Sequence, residues 1–306
     1  TEMIELKEID LTNIKDKIIL ITGGNSGIGY QMANLFASKG AQVVIASRNT
    51  LRSLETVEKI KKNFPNAKIS CSNLDLSSKK SICSFVEFFN SKYKKLDILI
   101  NNAALMYKPY SLSNDGYEMQ MAVNHLGHFL LTKKLFNKIL NSKDARIINV
   151  SSIAHKYADI DFEDFFFKNE KKFSKSRAYN RSKLANLLFS TALKSMVDKE
   201  GLNIKIFSAH PGISRTGLFQ FMKKNMYYNV LKLVSQNSFK GCLPVVLAAT
   251  NQNYESGTYF GPGGLFEIKG NPSIVKMTKK AQSKSNAYKL WSLSEDAIGE
   301  KFTINK

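Results

Sequence analysis

Apolar runs and amphipathic stretches alternate along most of the chain. Six short apolar runs are typical of buried strands: Lys17–Thr22, Ala41–Ser47, Lys68–Leu76, Leu96–Asn102, Ala145–Ser151 and Leu202–Ala209. Six longer stretches carry apolar residues at helical spacing: Gly27–Lys39, Leu51–Asn63, Ser78–Tyr93, Gly116–Asn141, Ser176–Lys199 and Asn286–Phe302. This βαβ rhythm predicts an α/β fold, a doubly wound Rossmann sheet of seven parallel strands with helices on both faces.

One domain is expected over residues 1–306. Its core is predicted over about 17–216 and a substrate lid over 217–237, and residues 238–306 are expected to complete the sheet and the substrate side. A late strand is expected just before the turn Tyr259–Gly264. Ligands of doubly wound sheets bind beyond the carboxyl ends of the strands. The residues that follow each strand are therefore the candidates for chemistry.

A glycine-rich turn, T-G-x-x-x-G-x-G over Thr22–Gly29, follows the first strand and precedes a helix. Glycine permits the tight turn and lets the backbone approach a pyrophosphate, which the helix N-terminus then attracts. This context predicts a dinucleotide site, although a plain strand-to-helix turn remains the alternative. The expected cofactor contacts here are Gly23, Asn25, Ser26, Gly27, Ile28 and Gly29.

The second strand ends at Ser47-Arg48-Asn49, where NAD enzymes carry an acidic residue that holds the ribose 2′-hydroxyl. A guanidinium at this place can instead bind a 2′-phosphate, which predicts NADP(H) in preference to NAD(H). An ordinary surface arginine is the alternative interpretation. Further cofactor contacts are expected after the third and fourth strands: Asp75 at the adenine amino group, Leu76, Asn102, Ala103 and Ala104.

A second group of polar residues follows the fifth strand. Ser152 comes directly after that strand, and Tyr179 and Lys183 stand four positions apart on the next helix, so that they share one face. A phenol is a poor acid or base near neutrality, but a nearby ammonium lowers its pKa. Together the three residues suit proton transfer to a carbonyl oxygen. A Y-x-x-x-K spacing alone is more often a solvated helix face.

In this order the motifs resemble the short-chain dehydrogenase/reductase family, in its retinol dehydrogenase, WW-domain oxidoreductase and protochlorophyllide-reductase-like branch. The resemblance runs from about Lys17 to about Thr216. The residues that carry it are Thr22–Gly29, Leu74–Leu76, Leu99–Ala104, Val123–Thr132, Arg146–His155, Tyr179–Ala185 and His210–Gly212.

The resemblance implies a role for each matching position. Tyr179 is expected to be the general acid/base, and Lys183 to hold the nicotinamide ribose and lower the Tyr179 pKa. Ser152 is expected to orient the substrate oxygen, and Asn124 to hold a proton-relay water with Lys183. The resemblance also implies three cofactor contacts at the nicotinamide: Pro211, Gly212 and Thr216.

The regions outside these motifs are rich in aromatic residues. The insert Asp159–Ser176 carries Phe162, Phe165, Phe166, Phe167 and Phe173, which either line an apolar substrate pocket or pack against the core or a partner subunit. Leu218–Val234 is expected to be a mobile amphipathic lid, and its lysines would also suit an anionic membrane surface. In the terminal helix, Trp291 is the expected anchor.

Composition narrows the function classes. The formal net charge is +20, but only six of the 45 basic residues are arginine and the lysines are scattered, so we expect a solvated surface and no nucleic-acid binding. No apolar run is long enough to cross a membrane, although an anchor removed ahead of Thr1 is compatible with the sequence. Three dispersed cysteines argue against a disulfide framework, and we expect no metal site.

Together these features predict an NADP(H)-dependent oxidoreductase that interconverts a carbonyl and an alcohol on a lipophilic small molecule, retinal-like, steroid-like or another apolar aldehyde or ketone. A catalytically silent dinucleotide-sensing or membrane-associated scaffold is the first alternative, and a sugar-nucleotide epimerase or dehydratase is the second. A basic nucleic-acid binder is the weakest alternative. We expect a cytoplasmic protein or one on the cytosolic face of a membrane, with peripheral membrane contact and a homodimer or homotetramer as further possibilities.

Overall fold

A computed structural model describes residues 9–213 and 236–304 of the chain. One mixed sheet has the strand order β3-β2-β1-β4-β5-β6-β7-β8, and every neighbouring pair is parallel except β7 and β8. The strands are β1 Ile18–Thr22, β2 Gln42–Ser47, β3 Ile69–Asn73, β4 Ile98–Asn101, β5 Ala145–Val150, β6 Ile204–Ala209, β7 Tyr259–Pro262 and β8 Pro272–Ile274.

This confirms the predicted doubly wound fold, but the predicted count of seven strands was wrong. The eighth strand, Pro272–Ile274, is a three-residue antiparallel edge strand that pairs with β7. The segment Tyr259–Gly264, interpreted as a turn after a late strand, contains that strand itself, because Tyr259 and Phe260 pair with β6. The strand order reverses between β1 and β4, which opens the crevice where such folds bind ligands.

Helices cover both faces of the sheet. They are α1 Gly27–Ser38, α2 Thr50–Asn63, α3 Lys79–Lys92, α4 Gly127–Leu140, α5 Lys175–Lys199, α6 Ser238–Thr250, α7 Lys279–Gln282 and α8 Lys284–Ile298. The predicted long helix Gly116–Asn141 is interrupted: a short turn, Met119–Met121, leads through a π-helical segment, Ala122–Leu126, into α4. The terminal helix ends at Ile298, before the predicted Phe302.

The central strand β1 is almost entirely apolar because both of its faces are buried. In β1, Ile18 and Leu20 face one core with α3, α4, α5 and α8, whereas Ile19 and Ile21 face the other core with α1, α2 and α6. The helices packed on both faces hold the sheet in place. The carboxyl ends of its parallel strands lie in one row, and the candidate functional residues follow these ends.

The aromatic insert packs into the first of these cores. Phe165, Phe166 and Phe167 are buried, and the guanidinium of Arg181 lies 4.1 Å from the centre of the Phe167 ring. Of the two interpretations of these phenylalanines, core packing is therefore the observed one. Trp291 is the predicted anchor of the terminal helix, stacked on Phe302 with ring centres 4.9 Å apart.

Candidate active site

The glycine-rich turn after β1 packs so closely on α1 that it leaves no room for a side chain at Gly29. Gly23 has a φ of +66°, and a Cβ on Gly29 would lie 2.3 Å from the Gly23 carbonyl oxygen. The absence of side chains brings the backbone of the turn directly against the first turn of α1, where Gly27 and Ile28 begin the helix. The turn therefore has the close backbone approach that a pyrophosphate requires.

The N-terminus of α1 also fits an anion. Ser26 is its N-cap residue and forms no side-chain cap hydrogen bond. By contrast, Asn49, Ser78 and Ser174 each accept a backbone N–H at the start of α2, α3 and α5. The first-turn N–H groups of α1 are thus left for a bound phosphate.

Around the end of β2, three of the predicted cofactor residues form hydrogen bonds within the protein: Asn25, Ser47 and Asn49. Asn25 donates a hydrogen bond of 2.8 Å from its amide nitrogen to the Ser47 hydroxyl, which also lies 2.6 Å from the Ser53 hydroxyl. Asn49 caps α2, as noted above. Arg48 is different, because its side chain is exposed while its backbone carbonyl is held by the Asn73 amide at 2.9 Å. Arg48 is the residue free to meet a ligand from solvent.

Asp75 and Leu76 follow β3 and lie at the same edge. Oδ1 of Asp75 accepts the N–H and the hydroxyl of Ser77 at 2.9 and 2.6 Å, so the predicted adenine contact would fall to Oδ2. The Leu76 carbonyl packs against Gly127, where a Cβ would lie 2.3 Å from it. This contact sets α4 close to the cofactor edge.

The end of β4 is joined to the glycine turn by one hydroxyl. The backbone N–H groups of Asn102 and Ala103 each donate to Thr22 Oγ1 at 2.9 Å, and the Asn102 amide donates to the Thr22 carbonyl at 2.7 Å. Ala104 follows, half-buried, at the mouth of the site. The small residues that the sequence predicted at this place therefore lie next to the turn.

Ser152 and Tyr179 meet beyond the end of β5. Burial raises the pKa of Tyr179 to about 12, while its hydrogen bond with Ser152 acts in the opposite direction. The Ser152 hydroxyl also accepts the Ala154 N–H at 3.2 Å, which fixes its position. Tyr179 therefore holds its proton throughout the neutral range.

Lys183 lies on the same helix face, with Nζ 5.8 Å from the centre of the Tyr179 ring. Its ammonium donates to the Val150 carbonyl at 3.0 Å, and burial lowers the Lys183 pKa to about 7. Burial of the phenol outweighs the other influences on the Tyr179 pKa, and the Lys183 ammonium is directed at a backbone oxygen, so the lowering of that pKa by Lys183 stays a prediction.

Asn124 lies in the π-helical segment that precedes α4. Its side chain holds both backbone groups of Leu105, accepting the N–H at 2.7 Å and donating to the carbonyl at 2.9 Å. It also donates to the Ser182 hydroxyl at 2.9 Å, next to Lys183 in the chain. Local π-helical geometry is common at functional sites. The four predicted catalytic residues thus come together, although Asn124 reaches α5 through Ser182.

Pro211 and Gly212 follow β6 and are braced by a cluster that sequence reasoning missed. The Gly212 N–H donates to His210 Nδ1 at 3.2 Å, and His210 Nε2 lies 3.1 Å from the Glu267 carboxylate, which also pairs with Lys156 at 2.8 Å. Glu267 lies more than 50 residues downstream of Gly212, so no local pattern pointed to it. Thr216 and most of the predicted lid lie outside the described residues.

A second missed residue is Tyr107, on the loop after β4. Its ring meets the edge of Tyr179 with centres 5.4 Å apart, and its side chain is 39% exposed. Its φ of +54° is uncommon for a bulky residue, and such strain clusters at functional sites. A left-handed conformation at a tyrosine leaves no signal in the sequence.

Comparison with known proteins decides the family. A family model described as short chain dehydrogenase matches residues 17–164. Retinol dehydrogenase 12 from Homo sapiens is 35% identical over 293 residues, which cover 94% of this chain and 89% of that protein. The chain belongs to the short-chain dehydrogenase family. The short-chain dehydrogenase TIC 32 A, chloroplastic, from Brassica napus is 46% identical over 222 residues, 71% of this chain and 69% of that protein.

Two solved structures share the fold. An uncharacterized protein from Mycobacterium paratuberculosis is similar with a TM-score of 0.78 and 30% identity, over 95% of this chain and 96% of that one. L-sorbose reductase from Gluconobacter frateurii, solved with NADPH and L-sorbose, has a TM-score of 0.65 at 21% identity, over 80% of this chain and 94% of that one. This short-chain dehydrogenase is accordingly an NAD(P)-dependent oxidoreductase of the retinol dehydrogenase-like branch.

Two further predictions concern membranes and metals. In the described parts of this short-chain dehydrogenase, no helix combines the length and apolarity needed to cross a membrane. Within the same residues, no three His, Cys, Asp or Glu side chains are grouped so that they could bind a metal ion.

Proposed function

We propose that this short-chain dehydrogenase uses NADP(H) to interconvert a carbonyl and an alcohol on a lipophilic substrate. The observation that carries the proposal is the meeting of Tyr179, Ser152 and Lys183 at the sheet edge that holds the glycine turn. A nicotinamide bound at that edge supplies the hydride. The alternative of a silent scaffold has no observation in its favour.

Tyr179 acts as the proton donor in the reducing direction. Because burial raises its pKa to about 12, its hydroxyl carries a proton at neutral pH and can give it to the carbonyl oxygen. Ser152 donates a hydrogen bond to the same oxygen and so orients it. The ammonium of Lys183, 5.8 Å from the ring centre, stabilises the phenolate that the transfer leaves.

The preference for NADP(H) rests on Arg48. Its backbone is held by Asn73, its guanidinium is exposed, and no acidic residue occupies the end of β2. A guanidinium binds a phosphate through paired charge-assisted hydrogen bonds, whereas the uncharged 2′-hydroxyl of NAD(H) offers it much less. The NADPH bound by L-sorbose reductase supports the same preference at the level of the fold.

A lipophilic substrate is supported by the similarity to retinol dehydrogenase 12 and by the aromatic mouth of the site. The ring of Tyr107 adjoins that of Tyr179 there. Reduction is the favoured direction because cells keep the NADPH pool reduced. Peripheral membrane contact, homodimer or homotetramer formation and a cytoplasmic or membrane-face location stay predictions.

The test measures NADPH and NADH oxidation at 340 nm with a panel of carbonyls that includes retinal. Tyr179→Phe should lower kcat by about 10²–10⁴-fold while NADPH still binds. Tyr110→Phe is the matched control, because the Tyr110 hydroxyl donates to the Phe167 carbonyl and contacts none of the predicted catalytic side chains in the hydrogen bonds described. Full turnover by Tyr179→Phe would overturn the mechanism.

Arg48→Ser tests the cofactor preference in the same assay. It should raise the KM for NADPH by about tenfold or more, since a hydrogen bond to a charged group is worth about 1.5–3 kcal/mol. The KM for NADH, which lacks the phosphate, should change little. An equal effect on both cofactors would contradict a 2′-phosphate contact.

A further inference from the structure

His128 lies between the cofactor turn and the catalytic residues. It is 2% exposed, and its two ring nitrogens face two different parts of the site. Nε2 lies 2.9 Å from Thr22 Oγ1, at the end of β1, and Nδ1 lies 3.1 Å from the Asn124 carbonyl, in the π-helical segment. The proposed function gives this residue no role.

The hydroxyl of Thr22 determines the proton at Nε2. Its oxygen accepts the N–H groups of Asn102 and Ala103, both at 2.9 Å, which occupies its two lone pairs. Its own proton must then go to His128 Nε2 at 2.9 Å or to the Ile100 carbonyl at 3.4 Å. The shorter contact is the better hydrogen bond, so Nε2 is the acceptor.

The opposite end of the ring leads independently to the same assignment. A backbone carbonyl can only accept, so Nδ1 must carry the proton that it donates to the Asn124 oxygen. Burial lowers the pKa of His128 to about 4, and the nearby positive charge of Lys183 acts in the same direction. The ring is therefore neutral, with its proton on Nδ1.

We propose that His128 is a positioning residue that couples the cofactor turn to the catalytic residues. The hydrogen bonds run in one direction, from the N–H groups after β4 to Thr22, then to His128 and on to the Asn124 carbonyl. From Asn124 the side chain continues to Ser182, beside Lys183 on α5. This inference rests on the proposed function, since it concerns the same site.

The π-helical segment explains why this link is needed. There the Gly127 N–H donates a hydrogen bond to the Ala122 carbonyl, five residues earlier in the chain. The backbone around Asn124 therefore departs from the regular α-helical hydrogen-bond pattern. Because the His128 ring is hydrogen-bonded at both of its nitrogens, it can hold the backbone in this π-helical conformation. Without the His128 side chain, Asn124 would lose its fixed position relative to Leu105 and Ser182.

The first test is spectroscopic and needs no turnover. ¹⁵N NMR of protein labelled at histidine, with His128 assigned by its absence in a variant, should show the proton on Nδ1 and no titration between pH 5 and 9. A proton on Nε2, or titration within that range, would overturn the proposal.

The second test separates the two ends of the ring. In His128→Asn the amide nitrogen can replace Nδ1 and keep the bond to Asn124, whereas in His128→Gln the amide oxygen can replace Nε2 and keep the bond to Thr22. His128→Gln should lower kcat about tenfold or more and leave the Kd for NADPH nearly unchanged, and His128→Asn should show the reverse. Equal losses in both variants would refute the coupling.

His125→Gln is the matched control. His125 is equally buried and belongs to the same segment, but its Nε2 lies 2.7 Å from the Ser294 hydroxyl of α8, away from the site. Its substitution should lower stability without changing kcat or the Kd for NADPH. If the wild type reduced no carbonyl, the proposed function would fail. The tautomer of His128 and the Kd values for NADPH of His128→Asn and His128→Gln would still decide the role of His128.

Discussion

Lys183 carries a stability cost that can be measured directly. Its ammonium is almost fully buried, and burial lowers its pKa from the usual 10.5 to about 7. Because the folded protein holds this proton less tightly than the unfolded chain, the lysine opposes folding most strongly at low pH. This destabilisation of the folded state has its full size below about pH 7, decreases as the pH rises and vanishes above about pH 10.5.

The magnitude follows from about 1.4 kcal/mol for each pKa unit. At pH 6 both states are protonated and the cost is on the order of 5 kcal/mol; at pH 9 the folded lysine is neutral and the cost is about 2 kcal/mol. Lys183→Met removes the charge and with it this cost. The free energy of unfolding of the variant minus that of the wild type should therefore be about 3 kcal/mol smaller at pH 9 than at pH 6. The packing of methionine and the lost bond to Val150 add a term that does not depend on pH.

The wild type and Lys183→Met are unfolded in urea without added nucleotide, at pH 6 and at pH 9. Linear extrapolation then gives the difference between their free energies of unfolding at each pH. The ionisable neighbours do not interfere, because the pKa of Tyr179 is about 12 and that of His128 about 4. Lys199→Met, an exposed lysine of the same helix, should show no such pH dependence. A difference that stays constant between the two pH values, or grows with pH, would refute the reasoning.

Three further substitutions test other parts of the structure. Gly29→Ala places a Cβ 2.3 Å from the Gly23 carbonyl and should weaken NADPH binding about tenfold or more in a fluorescence titration. Gly24→Ala is the milder change, because its Cβ meets side-chain atoms of Ile45 at 3.0 Å, and it should weaken NADPH binding less. Arg181→Met removes a buried guanidinium that donates to Asp159 at 2.7 Å and to the Asp164 carbonyl at 2.8 Å. It should lower the free energy of unfolding in urea by about 3 kcal/mol. Arg177→Met, which removes an exposed guanidinium paired with the same Asp159 carboxylate, should lower it by less than about 1 kcal/mol. Glu267→Ala removes the partner of both His210 and Lys156 and should lower kcat/KM about tenfold, while Lys269→Ala, an exposed neighbour, should not.

The fold was predictable from the sequence because its signals are local. A buried parallel strand is apolar throughout, and the glycine turn marks where the first strand becomes a helix. The elements that were not predicted include two whose sequences carry no clear pattern. Ser238–Thr250 is buried on nearly all sides and contains Pro244, so it shows no amphipathic period, and Pro272–Ile274 is too short to show an alternating pattern.

The residue types of the site were predictable, but the directions of their side chains were not. Four-residue spacing places Tyr179 and Lys183 on one helix face, yet it does not tell whether the ammonium meets the phenol or the Val150 carbonyl. The five phenylalanines of the insert were equally compatible with a pocket and with the core. In the structure, Phe165, Phe166 and Phe167 are buried, and Arg181 lies over Phe167 and binds Asp159.

The local geometries that sequence patterns missed share one property: each departs from a locally favoured state. Tyr107 and Glu267 have positive φ, Asn124 lies in a π-helical segment, and Lys183 is a buried cation. Such states are unfavourable alone and persist only when neighbours hold them, as Leu105 and Ser182 hold Asn124. Pattern analysis assumes local preference, so it fails where chemistry requires strain. For this chain, the stability of Lys183→Met measures how large one of these departures is.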